Sequence, residues 1–317
     1  MAVLILTNTY DPTADDVIRR LHDRDVPVFR VDPADFPQRL KLHAELDAGH
    51  WSGVVETEKR SLDLSTVVGV WYRRPRRFEF PDGMNASEVE FAQDEARRGF
   101  GGVLNTLPGW LNHPAAIGRA EYKPHQLAEA TSAGLNVPRT LVTNDPARAE
   151  QWCSDVGRVV YKPLGAATFS EDNTHFSIYT TPMPPTGWGD PALRHTAHLF
   201  QKQIDKDYEV RVTVVDEHVF PAGIHTRSDA AQVDWRTDYQ ALTYSTPPLP
   251  RRVLAGVREL TRRLHLRYAA MDFAVDRSGR WWFLEANPNG QYGWIQHATT
   301  HEIGEAIADA LTKKETR

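Results

Sequence analysis

Asp272 and Glu285 lie on two apolar runs, 269–275 and 281–286, that flank Ser278-Gly279. That pattern predicts a β-hairpin. With Ser278 and Gly279 as a two-residue loop, Arg277 faces Arg280, and counting outward sets Asp272 directly opposite Glu285. Opposed residues share a sheet face, and the period of two adds Asn287 to it if the strand continues that far. The other face then carries Met271, Phe273, Val275, Trp282 and Leu284 as a core face. Two opposed carboxylates repel each other unless a cation sits between them. Magnesium suits the set, because it takes hard oxygen ligands and is held by one or two carboxylates together with substrate phosphates. Asn287 would add an amide oxygen. The alternative is that the acids are solvated at a sheet surface, and a slip of one residue in the loop would break the pairing.

Composition narrows what such a pair could serve. The 317-residue chain is 41% hydrophobic and 25% charged, as in a globular protein with room for two or three packed lobes. Its single cysteine, Cys153, can make neither an internal disulfide nor a cysteine-built zinc site, which fits a reducing cytoplasm. Residues 1–6 run straight into a polar stretch without a basic lead, so they read as a buried strand and no signal peptide. A membrane span needs about 18 consecutive apolar residues and none is present, so no membrane partner is expected. A net charge of −5 speaks against nucleic acid. Arg73-Arg74-Pro75-Arg76-Arg77 remains a basic patch able to meet an acidic partner.

The elements that must position the acids follow from periodicity. The first third alternates strand and helix. Strands are expected at 3–6, 27–31 and 67–72, with a helix capped by Thr13 and another at about 87–99, which favours a parallel sheet. A boundary near Asn112-His113-Pro114 precedes a helix through Lys123 and Leu127. Further strands are expected at 137–143, 159–163, 174–181, 200–204, 208–215, 218–225 and 239–244, and helices at 146–153 and 253–264. The expected domains are 1–114, 115–199 and 200–317.

Phe283-Leu284-Glu285-Ala286-Asn287-Pro288-Asn289-Gly290, preceded by Met271-Asp272-Phe273, resembles the magnesium-binding end of ATP-grasp enzymes. Lys123, Tyr161-Lys162-Pro163, Phe200-Gln201-Lys202-Gln203-Ile204, Glu209-Val210-Arg211 and Asp234-Trp235-Arg236 extend the likeness upstream in the family's order. The resemblance implies an α/β protein of ATP-grasp fold, with an N-terminal α/β lobe followed by two α+β lobes that clasp ATP. It implies ATP and Mg2+ as cofactors, with Asp272, Glu285 and Asn287 on the metal. Lys123 and Lys162 would meet phosphates, Gln201, Lys202 and Ile204 the adenine, and Glu209 the ribose. Arg211, Arg236 and, more weakly, Arg227 would face the reacting phosphate. One departure concerns the phosphate lid, where 164–169 holds a single glycine, so Thr168 or Ser170 would take over the work of backbone amides.

Trp71-Tyr72-Arg73-Arg74-Pro75, Val233-Asp234-Trp235-Arg236 and Asn289-Gly290-Gln291-Tyr292-Gly293-Trp294-Ile295 look like the maturases of graspetides, ribosomal peptides that include microviridins. This implies a precursor peptide as partner, with Asp or Glu side chains joined to Ser/Thr hydroxyls or Lys amines, esters being favoured, and a homodimer. The leader would be met by a hairpin within 169–180 through strand addition. Intermolecular addition of an amino acid to a protein or peptide, or a nucleotide-binding regulator without turnover, are the rival expectations. His225 and Asp229 are conceivable bases, with nothing to single out either.

Overall fold

The computed structural model describes residues 1–165, 168–171, 174–184, 190–226, 228 and 234–313. The chain forms two compact units that do not follow chain order. One comprises 1–117, 266–268 and 289–317, and the other 118–265 and 269–288.

The first unit is built on a parallel sheet of strands β1 (Ala2–Thr7) and β2 (Val28–Val31), with β3 (Lys41–Asp47), β4 (His50–Glu56) and β5 (Ser61–Asp63) as a separate antiparallel sheet. Strand β6 (Val67–Arg74) completes the parallel sheet in the order β2-β1-β6. Every residue of β1 is buried, as expected of the middle strand of a sheet covered on both faces. Leu4, Leu6, Phe29, Val31, Val70 and Phe100 form its core. Helix α1 (Pro12–His22) is capped by Asp11, whose carboxylate accepts from Ala14 N at 3.2 Å, and not by Thr13. The Thr13 hydroxyl donates instead to Gln291 Oε1 at 2.9 Å. Helix α2 (Ala86–Leu104) starts at an Asn85/Glu88 capping box and runs beyond the expected 87–99. The helix Ile303–Thr312 packs on α1 and β6. A Cβ on Gly69 of β6 would lie 2.0 Å from Leu311 O, so only glycine admits the helix backbone this closely.

The β3–β5 sheet has no counterpart in the sequence reading. Most of its residues are exposed, and the Asp47↔His50 pair closes on Ala48-Gly49, both at positive φ, where an Asn-Gly signal would usually stand. The basic patch also differs from expectation. Arg73 is buried, with its guanidinium donating to Asn289 O and Gln291 Oε1 and lying 3.7 Å from Asp11. Arg76 is bound to Asp32 at 2.7 Å.

In the second unit, helix α3 (Pro114–Ala120), which begins in the first unit, is followed by α4 (Lys123–Ser132). The single expected helix is broken over residues 121–122, because Pro124 has no N–H to donate to the carbonyl of Ala120 and its ring would clash with that carbonyl, so a new helix starts with the proline in its first turn. Strands β7 (Thr140–Thr143) and β8 (Val159–Lys162) flank α5 (Pro146–Val156), and β9 (Thr168–Glu171) pairs with β10 (Thr174–Ser177) as a two-stranded hairpin. With β11 (Thr181–Pro182) and β12 (His198–Lys202), a four-stranded sheet forms in the order β11-β8-β12-β7. Strands β13 (Lys206–Val215), β14 (His218–Thr226), β15 (Leu242–Ser245), β16 (Tyr268–Asp276) and β17 (Trp281–Asn287) make a five-stranded sheet in the order β15-β14-β13-β16-β17. Residues 239–241 form a short 3-10 turn and not the start of β15. The helix Arg251–Arg263 has Val253, Val257 and Leu260 buried along one face.

Candidate active site

The hairpin pairs Asp272 with Glu285, as expected, but by a different route. The turn holds three residues between Asp276 and Arg280, with Gly279 in the left-handed region at φ 78°. Val275 therefore faces Trp281, and Phe273 faces Phe283. A bulge then inserts Leu284, which restores the Asp272–Glu285 and Ala270–Asn287 pairs. The core face consequently carries Trp281 and Phe283, each packed edge-on to Phe273, in place of Trp282 and Leu284. Trp282 donates from Nε1 to Asp276 at 2.9 Å.

Three neighbouring strands set one row of charge: Arg211 on β13, Asp272 on β16 and Glu285 on β17. Arg211 and Asp272 are buried, at 5% and 4% exposure. Arg211 grips both oxygens of Asp272 at 2.7 Å, the planar fork matching the carboxylate. Arg236 Nη2 lies 3.0 Å from Asp272 Oδ2 and 3.0 Å from Glu285 Oε1, so a guanidinium bridges the two acids. The Trp235 ring lies 5.3 Å from the Arg211 guanidinium and 5.0 Å from that of Arg236, and holds both by cation–π attraction. Asp234 caps this short turn by accepting from Arg236 N at 3.1 Å, and it also accepts from Thr180 N.

From the other side, α4 presents Lys123 and Gln126 one turn apart. Lys123 Nζ lies 3.2 Å from Glu285 Oε2 and donates to Pro163 O at 2.8 Å. Gln126 closes the edge of β17, accepting from Ala286 N at 2.8 Å and donating to Ala286 O at 2.7 Å. It thereby fixes the backbone between Glu285 and Asn287. The residue was not foreseen, although its position one helical turn after Lys123 is the signal that could have found it.

Burial alone would raise the Glu285 carboxyl, yet Lys123, Arg236 and Lys162 together hold it well below the usual range. Lys162, ending β8, is pushed down from 10.5 to about 8 by burial, with Glu285 pulling it back up and Lys123 adding to the fall. Glu209 is 7% exposed, and burial raises its carboxyl against the pull of Lys206, which donates to it. Lys206 was also missed, because a spacing of three on a regular strand puts two residues on opposite faces.

Not every expected residue joins this row. Gln201 sits in β12, an interior strand paired with both β7 and β8, and its side chain donates to Thr140 Oγ1 at 3.0 Å. The backbone amides of Lys202 and Gln203 donate to Arg139 O and Arg158 O, and Ile204 is half-buried beyond them. Arg227 and Asp229 lie outside the described residues, as do Ala166 and Ala167 of the lid. His225 stacks on Tyr208 at 4.8 Å and bonds Ser245 Oγ, which gives it a structural task.

Two ionic roles can be served by this row. Asp272, Glu285 and Asn287 offer two carboxylates and an amide oxygen on one sheet face, a donor set that fits magnesium. Lys123, Lys162, Arg211 and Arg236 supply cations for polyphosphate oxygens. Among the described residues no group of three or more His, Cys, Asp and Glu side chains forms a metal cluster, and no helix is long and apolar enough to cross a membrane.

The fold is that of the ATP-grasp ligases. Within that class the chain is similar to the ligases of ribosomally made peptides, the graspetide or microviridin-type maturases. Residues 2–118 match the family model of the MvdD pre-ATP grasp domain. A RiPP-associated ATP-grasp ligase from Chryseobacterium gregarium, solved with ADP and a leader and core peptide, matches at 28% identity and TM-score 0.89, over 98% of this chain and 96% of that one. The macrocyclase MdnC of Microcystis aeruginosa MRC, bound with precursor peptide MdnA, matches at 28% identity and TM-score 0.87, over 98% and 99% of the two chains. MdnB of the same organism matches at 26% identity and TM-score 0.82, over 98% of each chain. No match is found among curated protein sequences.

Proposed function

We propose that the chain is an ATP-dependent ligase that activates Asp or Glu side chains of a ribosomal precursor peptide and joins them to Ser/Thr hydroxyls or Lys amines, closing rings within the peptide. The observation that carries the reading is the convergence of Lys123, Lys162, Arg211 and Arg236 on the Asp272–Glu285 pair. Similarity along 98% of the chain to two ligases solved with precursor, or leader and core, peptides supports the choice of substrate.

A carboxylate is a poor electrophile. Its oxygen therefore attacks the γ-phosphorus of ATP, the bond to the β-phosphate oxygen breaks, and ADP leaves an acyl phosphate behind. Lys123 and Lys162 hold the phosphates as point charges, and Arg236 and Arg211 orient the transferring group with planar donors. Magnesium, when bound by Asp272, Glu285 and Asn287, supplies further charge neutralisation at the phosphate oxygens. The substrate hydroxyl or amine then attacks the acyl carbon, phosphate leaves, and the nucleophile's proton passes to phosphate or solvent. The ester is the expected product.

Co-expression with a short Thr-, Asp- and Glu-rich reading frame beside the gene, followed by mass measurement, tests this. Loss of one water per ring is expected. Gain of an amino-acid residue would mean intermolecular ligation, and an unchanged peptide with no peptide-dependent ADP release would mean a nucleotide-binding protein without turnover.

A further inference from the structure

The parallel sheet of the first unit has the order β2-β1-β6, so the chain leaves β1 on one side and returns on the other. That is a topological switch point, and open α/β sheets bind ligands in the crevice outside the carboxyl ends of the strands at such a place. Here the carboxyl ends are Thr7 and Arg74, which are register partners. The acids around this end are already committed. Asp11 accepts from Thr7 Oγ1 at 2.8 Å and Ala14 N, and lies against Arg73. Asp32 accepts from Ala34 N and from Arg76 N and Nε. Asp15 is paired with Arg30. Arg74 is left over: its guanidinium makes no hydrogen bond or ion pair among the described residues. Its root is nonetheless fixed, since Arg74 O accepts from both Asn8 N at 3.1 Å and Asn8 Nδ2 at 3.2 Å.

We infer that the carboxyl end of the β1–β6 pair is a carboxylate subsite, in which Arg74 grips an acidic side chain of the peptide substrate. The inference rests on the ligase reading for the nature of its ligand, and it assigns Arg74 to substrate selection and not to phosphate chemistry. Arg74 is exposed at the end of β6, so a carboxylate can reach its guanidinium. Planar bidentate pairing favours arginine for the task, so lysine should replace it only in part.

The test is binding without ATP, read by fluorescence anisotropy. The probes are a labelled peptide rich in Thr, Asp and Glu and its twin with Asn and Gln in place of the acids. Wild type should prefer the acidic peptide, and Arg74→Gln should lose roughly tenfold of that preference, as expected for one charge-assisted hydrogen-bonded pair, with Arg74→Lys recovering part of it. Arg77→Gln removes an equal charge from the following loop and should leave the preference intact. An unchanged preference in Arg74→Gln, equal losses in the Arg74 and Arg77 variants, or abolition of the preference by millimolar inorganic phosphate would overturn the subsite. Ring closure is scored separately by mass, so failure of the ligase reading and failure of the subsite give different results.

Discussion

The proposed contact of Lys162 with the phosphates of ATP makes binding depend on pH. The lysine's ammonium is pushed from 10.5 to about 8, burial being the main cause and Glu285 opposing it. With ATP affinity dependent on the charged form, the fraction available falls from about nine-tenths near pH 7 to about one-tenth near pH 9. Affinity should then fall by about tenfold, or about 1.4 kcal/mol. Bound phosphates favour the ammonium, so near pH 8 binding should draw in about half a proton. Calorimetry in buffers of differing ionisation heat reads that uptake directly. Lys162→Arg keeps its charge throughout, so its affinity should stay flat and the uptake should vanish. A variant that keeps the wild-type pH profile would refute the assignment of the titration to this residue. The same shift has a stability sign. The depressed value means that the unfolded chain binds more protons between about pH 8 and 10.5, so stability rises with pH across that window. Lys162→Met should raise the melting temperature at neutral pH, where the wild type holds the buried charge.

Three other outcomes are expected. Asp272→Asn leaves Arg211 and Arg236 facing each other in a buried place, and should cost about 3 kcal/mol by denaturant unfolding, as when one partner of a buried ion pair is removed; an unchanged midpoint would contradict the ion-pair account. Glu285→Gln, more exposed, should fold but need at least about tenfold more magnesium for half-maximal ADP release; a magnesium titration that superposes on wild type would remove Glu285 from the metal set. Gly69→Ala drives a methyl into Leu311 O and should lower stability by about 1–3 kcal/mol, read by thermal unfolding with unchanged magnesium dependence in the surviving enzyme.

The acids were legible because a hairpin carries its register in its own sequence. Even so, the count of residues came out right only through two offsets: the turn is one residue longer than Ser278-Gly279 implies, and Leu284 is bulged out on β17. Between those offsets the faces are exchanged, which is why Trp282 and Leu284 were placed on the core side and Trp281 and Phe283 were not. Nothing local signals a bulge. Arg73 was unreadable for a different reason. As one of four arginines in a row broken by a proline it has the composition of a surface patch, and its burial rests on Asp11 and on acceptors more than two hundred positions later. The resemblance offers Arg236 only as a group facing phosphate, whereas the bridging of Asp272 and Glu285 that the structure shows depends on Trp235 and on the fold of another segment.

The helix Ile303–Thr312, which presses its backbone onto Gly69, also decides the order in which the protein can be finished on the ribosome. The second unit has all its residues by Pro288, whereas the sheet begun by Ala2–Thr7 lacks one of its covering layers until the chain has been made past residue 312. Removal of Ile303–Thr312 should therefore destabilise the sheet that holds Gly69, although the two are more than two hundred residues apart in sequence.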